Sequence, residues 1–173
     1  MDRKIITKFT VVTEQGIEDL SYLTKTLALE KFTGILPENI IASYIADNFS
    51  KERLINDVNS FSNQWLIVYI DEEAAGYARI TSQGKRPDVL AGKRAIRMAD
   101  FGILKKHSAT AGTQSLFEKC LVAGKAYDAI WLNEYSGHPF LAFFEEQGFN
   151  IQDQVAESDG LPVPSVYMIR MAQ

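Results

Sequence analysis

A chain of 173 residues, 46% hydrophobic and 23% charged, has the length of one folded domain and the composition of neither a disordered segment nor a fibre. Its net charge of −4 argues against a nucleic-acid binder, which needs a basic stripe to displace counterions. Cys120 is the only cysteine, which excludes an intrachain disulfide and a cysteine-rich metal site, and the lack of a long apolar run predicts a cytoplasmic protein without leader or membrane span.

A first strand is expected over residues 5–13, which are β-branched and partly alternating. A helix follows from Gly16, with Leu20, Leu23, Leu27 and Phe32 spaced for one face. Pro37 opens a second helix carrying Ile40, Ile41, Tyr44 and Ile45, and Ser50-Lys51-Glu52-Arg53 reads as the capped start of a third that ends near Asn59. Residues 64–70 and 74–81 form a hairpin about the polar turn Asp71-Glu72-Glu73. Beyond the loop 84–92, residues 94–104 read as a central covered strand, with Ile96 and Met98 on one face and Phe101 and Ile103 on the other. Residues 111–125 form a helix whose buried stripe is Leu116, Phe117, Cys120 and Leu121. A short strand at 128–133 precedes a Phe-rich helix at 138–147, which Gly148 closes so that Phe149 packs back on Phe144. The last strand spans 163–171 and pairs with 149–155. This order predicts one α/β domain over residues 1–173, a mixed sheet with helices on its faces, and a right-handed parallel unit joining the long strand to 128–133.

Lys105-Lys106-His107-Ser108-Ala109-Thr110-Ala111-Gly112-Thr113-Gln114 joins the long strand to its helix. Small side chains let an anion approach this backbone, and the first N–H groups of the helix are unpaired and point along the positive end of its dipole. Lys105 and Lys106 add local positive charge. On spacing alone an ordinary capped turn is the simpler reading.

The wider layout adds to this. From about Phe49 to Phe149 the chain resembles the GNAT family of acyl-CoA N-acyltransferases, in which a strand leads into Gln/Arg-x-x-Gly-x-Gly/Ala and then a helix. The matching positions are His107, Thr110 and Gly112. The hairpin at 65–80 and the strand at 128–132 look like family strands, and Phe143-Phe144-Glu145-Glu146-Gln147-Gly148-Phe149 resembles its Phe-Tyr-x-x-x-Gly-Phe ending. Residues 38–59 followed by the hairpin look most like the bacterial spermidine/spermine acetyltransferase-like branch. The resemblance implies an α/β, mostly antiparallel mixed sheet flanked by helices, and homodimers are common in this fold. It implies transfer of an acetyl group from acetyl-CoA to a primary amine of a small molecule, a polyamine if the branch holds. Backbone N–H groups of Ile103 and Leu104 would hold the acyl carbonyl, and His107, Ser108, Ala109, Thr110, Ala111, Gly112 and Thr113 would cradle the coenzyme.

The chain departs from the pattern at His107, at Thr110 where a glycine is usual, and at Phe144 where the family has a tyrosine; Gly137 stands near the place of a usual asparagine. A missing general acid costs roughly 10²–10⁴-fold. A slower enzyme, a substituted acid, or a non-catalytic acyl-CoA-binding sensor therefore all fit. Tyr135 is the nearest replacement phenol by sequence, with aromatic packing at a strand end as the competing reading. For the base, Asp100 shares a strand face with Ile96 and Met98, and a carboxylate among apolar neighbours suits proton abstraction from an ammonium; a buried ion pair with Arg79 is the equal alternative. Glu134 is a second candidate. His138, a residue of the type that titrates near neutrality, precedes Pro139 and fits an entry turn. His107 and His138 match no metal-ligand spacing, so no metal is expected. Cys120 fits core packing. Lys85, Arg86, Lys93 and Arg94 are read as a solvated loop or as contacts to a coenzyme phosphate, and Tyr22, Phe32 and Tyr44 as helix packing or an acceptor pocket.

Overall fold

A computed structural model describes residues 2–157 and 159–173. Strand β1 (Ile5–Phe9) is followed by helices α1 (Glu14–Phe32), α2 (Glu38–Phe49) and α3 (Lys51–Asn59). Strands β2 (Asn63–Ile70), β3 (Glu73–Thr81) and β4 (Ala95–Ile103) lead into α4 (Gly112–Gly124), β5 (Ala129–Tyr135), α5 (Phe140–Glu146), β6 (Asn150–Ala156) and β7 (Ser165–Met171). The first strand is shorter than its composition suggests because Thr13 caps α1, its hydroxyl accepting from Gly16 N–H at 3.0 Å. Ser50 caps α3 in the same way through Arg53 N–H. The β2–β3 turn has only two residues: Asp71 and Glu72 both take positive φ, the twist that joins antiparallel strands, and Glu73 already belongs to β3.

The sheet runs β1-β2-β3-β4-β5-β7-β6, antiparallel throughout except for the parallel pair β4–β5. Strand β2 sends Leu66, Val68 and Ile70 to a core beneath α4 and α5, and Trp65 and Ile67 to a second core beneath α1–α3. Leu20, Leu23 and Leu54 are fully buried in that second core. Burying such a side chain stabilises by about 1.5–3 kcal/mol, which decides the face each helix turns inward. Among the described residues no helix is long and apolar enough to cross a membrane.

Strand β4 carries two irregularities. Arg79 opposes Asp100 but Ile80 opposes Met98, so Ala99 is a bulge without a partner. An extra residue inverts the side-chain alternation, and Ile96, Met98, Phe101 and Ile103 therefore all join the core beneath α4 and α5. This corrects the two-faced reading of the strand: Asp100 does not share a face with Ile96 and Met98 but turns towards α1 and α2. Moreover, β4 pairs with β5 only from Ala95–Ala129 to Arg97–Trp131. Beyond Arg97 the two strands part, while β5 stays paired with β7 as far as Tyr135.

Candidate active site

The parting of β4 and β5 opens onto a cavity of about 520 Å³, bounded by α1, α2, the end of β4 and the start of α5. That is the size of a small-molecule site. Asp100, Tyr77 and Tyr44 line its inner wall, and Phe101, Phe140 and Phe143 form an aromatic wall packed ring against ring. Tyr135 and His138 close it near the end of β5, and it extends to Ile103, Lys105 and Ser108 where the loop towards α4 begins. Burial, reinforced by Asp100, pushes the Tyr77 and Tyr44 phenols above their ordinary value, so both keep their protons at neutral pH.

Asp100 accepts from Arg79 Nε at 3.1 Å, and the guanidinium lies over the Trp65 ring. The ion pair and the cavity position thus coexist. Glu134 is held by Lys31 at 2.6 Å and by Tyr135 N–H at 2.9 Å. The Tyr135 phenol is raised first by burial and then by Glu134. His138 does occupy the entry turn: its Nδ1 accepts from Phe140 N–H at 3.0 Å, so the neutral ring carries its proton on Nε2. Burial holds its pKa down at about 4, with Glu134 opposing and Lys31 assisting the shift, and the ring is uncharged at neutral pH.

The backbone at the end of β4 is partly committed. Leu104 N–H donates to Ala75 O at 2.8 Å, so that amide is engaged within the sheet. Successive amides of an antiparallel strand alternate in direction, which turns Ile103 N–H to the side that β5 has left.

In the loop after β4, His107 is buried with neither ring nitrogen hydrogen-bonded, its Nε2 3.6 Å from the Glu73 carboxylate, which also binds Lys106. Ser108, Ala109 and Ala111 are exposed. The Thr110 hydroxyl donates to His107 O at 2.6 Å and accepts from Gly112 N–H at 3.2 Å, so a side chain ties this loop where the family pattern has none. The amides of Ala109, Ala111, Thr113 and Gln114 have no protein acceptor among the described residues. Gly112 lets α4 settle on the sheet, since a Cβ there would lie 2.8 Å from Ile103 Cδ1 and 2.9 Å from Ile70 Cδ1.

Phe144 is 2% exposed and packs against Phe101, Phe140, Phe143 and Phe149, and it does not line the cavity. Phe32 and Tyr44 line it and Tyr22 does not. Lys85 pairs with Glu157, Arg94 with Asp128, and Arg86 donates to Lys93 O, all away from the cavity. Cys120 is fully buried and its thiol is pushed up by burial. Sequence reasoning missed Tyr77 and Lys31, because the strand and helix patterns mark them only as core and surface.

This architecture is the acyl-CoA N-acyltransferase fold. The chain is similar to the PaiA N-acetyltransferase of Thermoplasma acidophilum in complex with coenzyme A (TM-score 0.76, 14% identity, covering 98% of this chain and 99% of that one). It is likewise similar to an acyl-CoA N-acyltransferase of Pseudomonas aeruginosa (TM-score 0.60, 14% identity, 98% and 99% covered). A third neighbour is FeeM, an N-acyl amino acid synthase from uncultured soil microbes (TM-score 0.64, 14% identity, 98% and 92% covered). At such identities the likeness defines the fold and does not single out the spermidine/spermine branch. No protein-family model matches the chain, and no curated protein matches it in sequence at a significant level.

Proposed function

We propose that the protein transfers an acetyl group from acetyl-CoA to the primary amine of a small molecule. The observation that carries this reading is the gap between β4 and β5, which presents the Ile103 amide beside an aromatic cavity and leads to a loop of free amides. Those parts fit the cosubstrate: the unpaired amides at 109, 111, 113 and 114 and the Lys105 ammonium suit an anionic pyrophosphate. When bound, acetyl-CoA supplies an activated acyl carbonyl and a thiol leaving group. Ile103 N–H is the donor for the carbonyl oxygen. Asp100, fixed by Arg79, takes the amine proton, directly or through water. Tyr135, its phenol protonated at neutral pH, is the donor for the departing sulfur. Glu134 anchors Lys31 and serves as the second candidate base.

The buried Phe144 and the Thr110 tie favour one alternative, an acyl-CoA-binding sensor without turnover. One experiment separates the two. Acetyl-CoA at about 100 times its dissociation constant raises stability by about 2.7 kcal/mol in either case, whereas only the enzyme releases thiol with an amine panel that includes polyamines. No melting shift at all refutes both.

A further inference from the structure

Granting the acyl-transfer reading, the charges around the cavity restrict the acceptor. Lys31 Nζ sits 2.6 Å from Glu134 Oε1 and over the rings of Phe32 and Tyr135, at 5.1 and 5.8 Å from their centroids. A carboxylate behind and ring faces beneath is how a protein holds an ammonium ligand. Here the place is filled by a side chain of the protein itself. Asp100 is likewise matched by Arg79. Among the residues that line the cavity, the carboxylates Asp100 and Glu30 are balanced by the cations Lys31 and Lys105.

We propose that the acceptor is a monoamine with a flat apolar body, and that Lys31 occupies the place the second cation of a diamine would take. A polyamine brings several charges, each losing hydration on entry, and the cavity has no surplus carboxylate to receive them. A monoamine brings one charge, at the nitrogen next to Asp100, and lays its body against Phe101, Phe143 and Tyr77. This balance of charge opposes the polyamine expectation drawn from the sequence.

The test is calorimetric titration of the full chain, with CoA present, by 2-phenylethylamine and by spermidine, alongside thiol release from acetyl-CoA with each. The native protein should prefer 2-phenylethylamine by roughly tenfold or more, the effect of one unmatched charge at protein dielectric. Lys31→Met uncovers Glu134 and should move the preference towards spermidine by a similar factor; Lys31→Gln serves if the first variant does not fold. Tighter binding of spermidine by the native protein overturns the inference, as does an unchanged ratio in a folded Lys31 variant. Spermidine turnover exceeding that of 2-phenylethylamine overturns this inference alone, since it leaves acyl transfer standing. No melting shift with acetyl-CoA and no thiol release with either amine overturns acyl transfer and the inference with it.

Discussion

Replacing Phe144 with tyrosine adds one hydroxyl to a ring that is 2% exposed. Its neighbours are the rings of Phe101, Phe149, Phe143 and Phe140, with centroids at 5.5, 5.6, 5.8 and 6.1 Å, and none offers a hydrogen-bond partner. An unpaired buried hydroxyl costs about 1–3 kcal/mol. Crowding in a well-packed cluster adds about 1 kcal/mol more. A chain of this length loses roughly 2–4 °C per kcal/mol, so Phe144→Tyr should melt roughly 5–15 °C lower. The family pattern invites this substitution as the repair of a lost acid, yet the ring points into the core and not into the cavity. Thiol release per folded molecule, at saturating acetyl-CoA, should therefore not rise. Melting within about 2 °C of native together with a tenfold gain in turnover would refute the reasoning, because the hydroxyl would then have to reach the cavity.

Asp100→Asn should lower kcat/KM by roughly 10²–10⁴ while leaving acetyl-CoA affinity within about twofold, and Tyr135→Phe should lower kcat with KM little changed; full activity in Asp100→Asn would remove that residue from the chemistry. His138 makes stability depend on pH in a definite direction. Its folded pKa of about 4 lies below the ordinary 6.5, so the unfolded chain takes up this proton first as pH falls. The stabilisation is complete above about pH 6.5 and is lost as pH falls towards 4, at up to about 1.4 kcal/mol per unit. Urea titrations between pH 6.5 and 4 should show a shallower slope in His138→Asn, and identical slopes would count against a buried neutral ring.

The elements were legible because their patterns are strong: the apolar run 65–70 of β2, the capped helices and the Asp71-Glu72 turn need only local chemistry. The sequence also marked residues 105–114 as a turn of small residues ahead of a helix, and the amides of Ala109, Ala111, Thr113 and Gln114 are without protein acceptors among the described residues. The orientation of Asp100 was not. It depends on one unpaired residue, Ala99, and an alanine in a strand looks the same whether it pairs or bulges. Leu104 presents a similar limit, since its amide is consumed by Ala75, a residue distant in sequence. Lys31 reads as a solvated lysine in the last turn of α1, where it favours the helix dipole. Only the arrival of Glu134 and Tyr135 from β5 makes it part of a site.

Both defects of β4 act together. Had the alternation of Ile96 and Met98 continued unbroken, Asp100 would enter the layer of Phe117 and Phe144, where no cation meets it, and Phe101 would be turned out of the aromatic cluster. The bulge sends the carboxylate to Arg79 and the ring to α5 in one step. That contact also bears on the separation of the strands. Past Arg97 the β4 edge has lost its ladder to β5, and Phe101 instead packs on Phe140, Phe143 and Phe144 at 5.5–6.1 Å. Aromatic pairs of this kind contribute about 0.5–1.5 kcal/mol each beyond their burial, enough to offset the few ladder bonds forgone. The opening is thus held by the packing of the Phe-rich helix, which explains why that helix carries so many rings and why Phe144 is given over to the core.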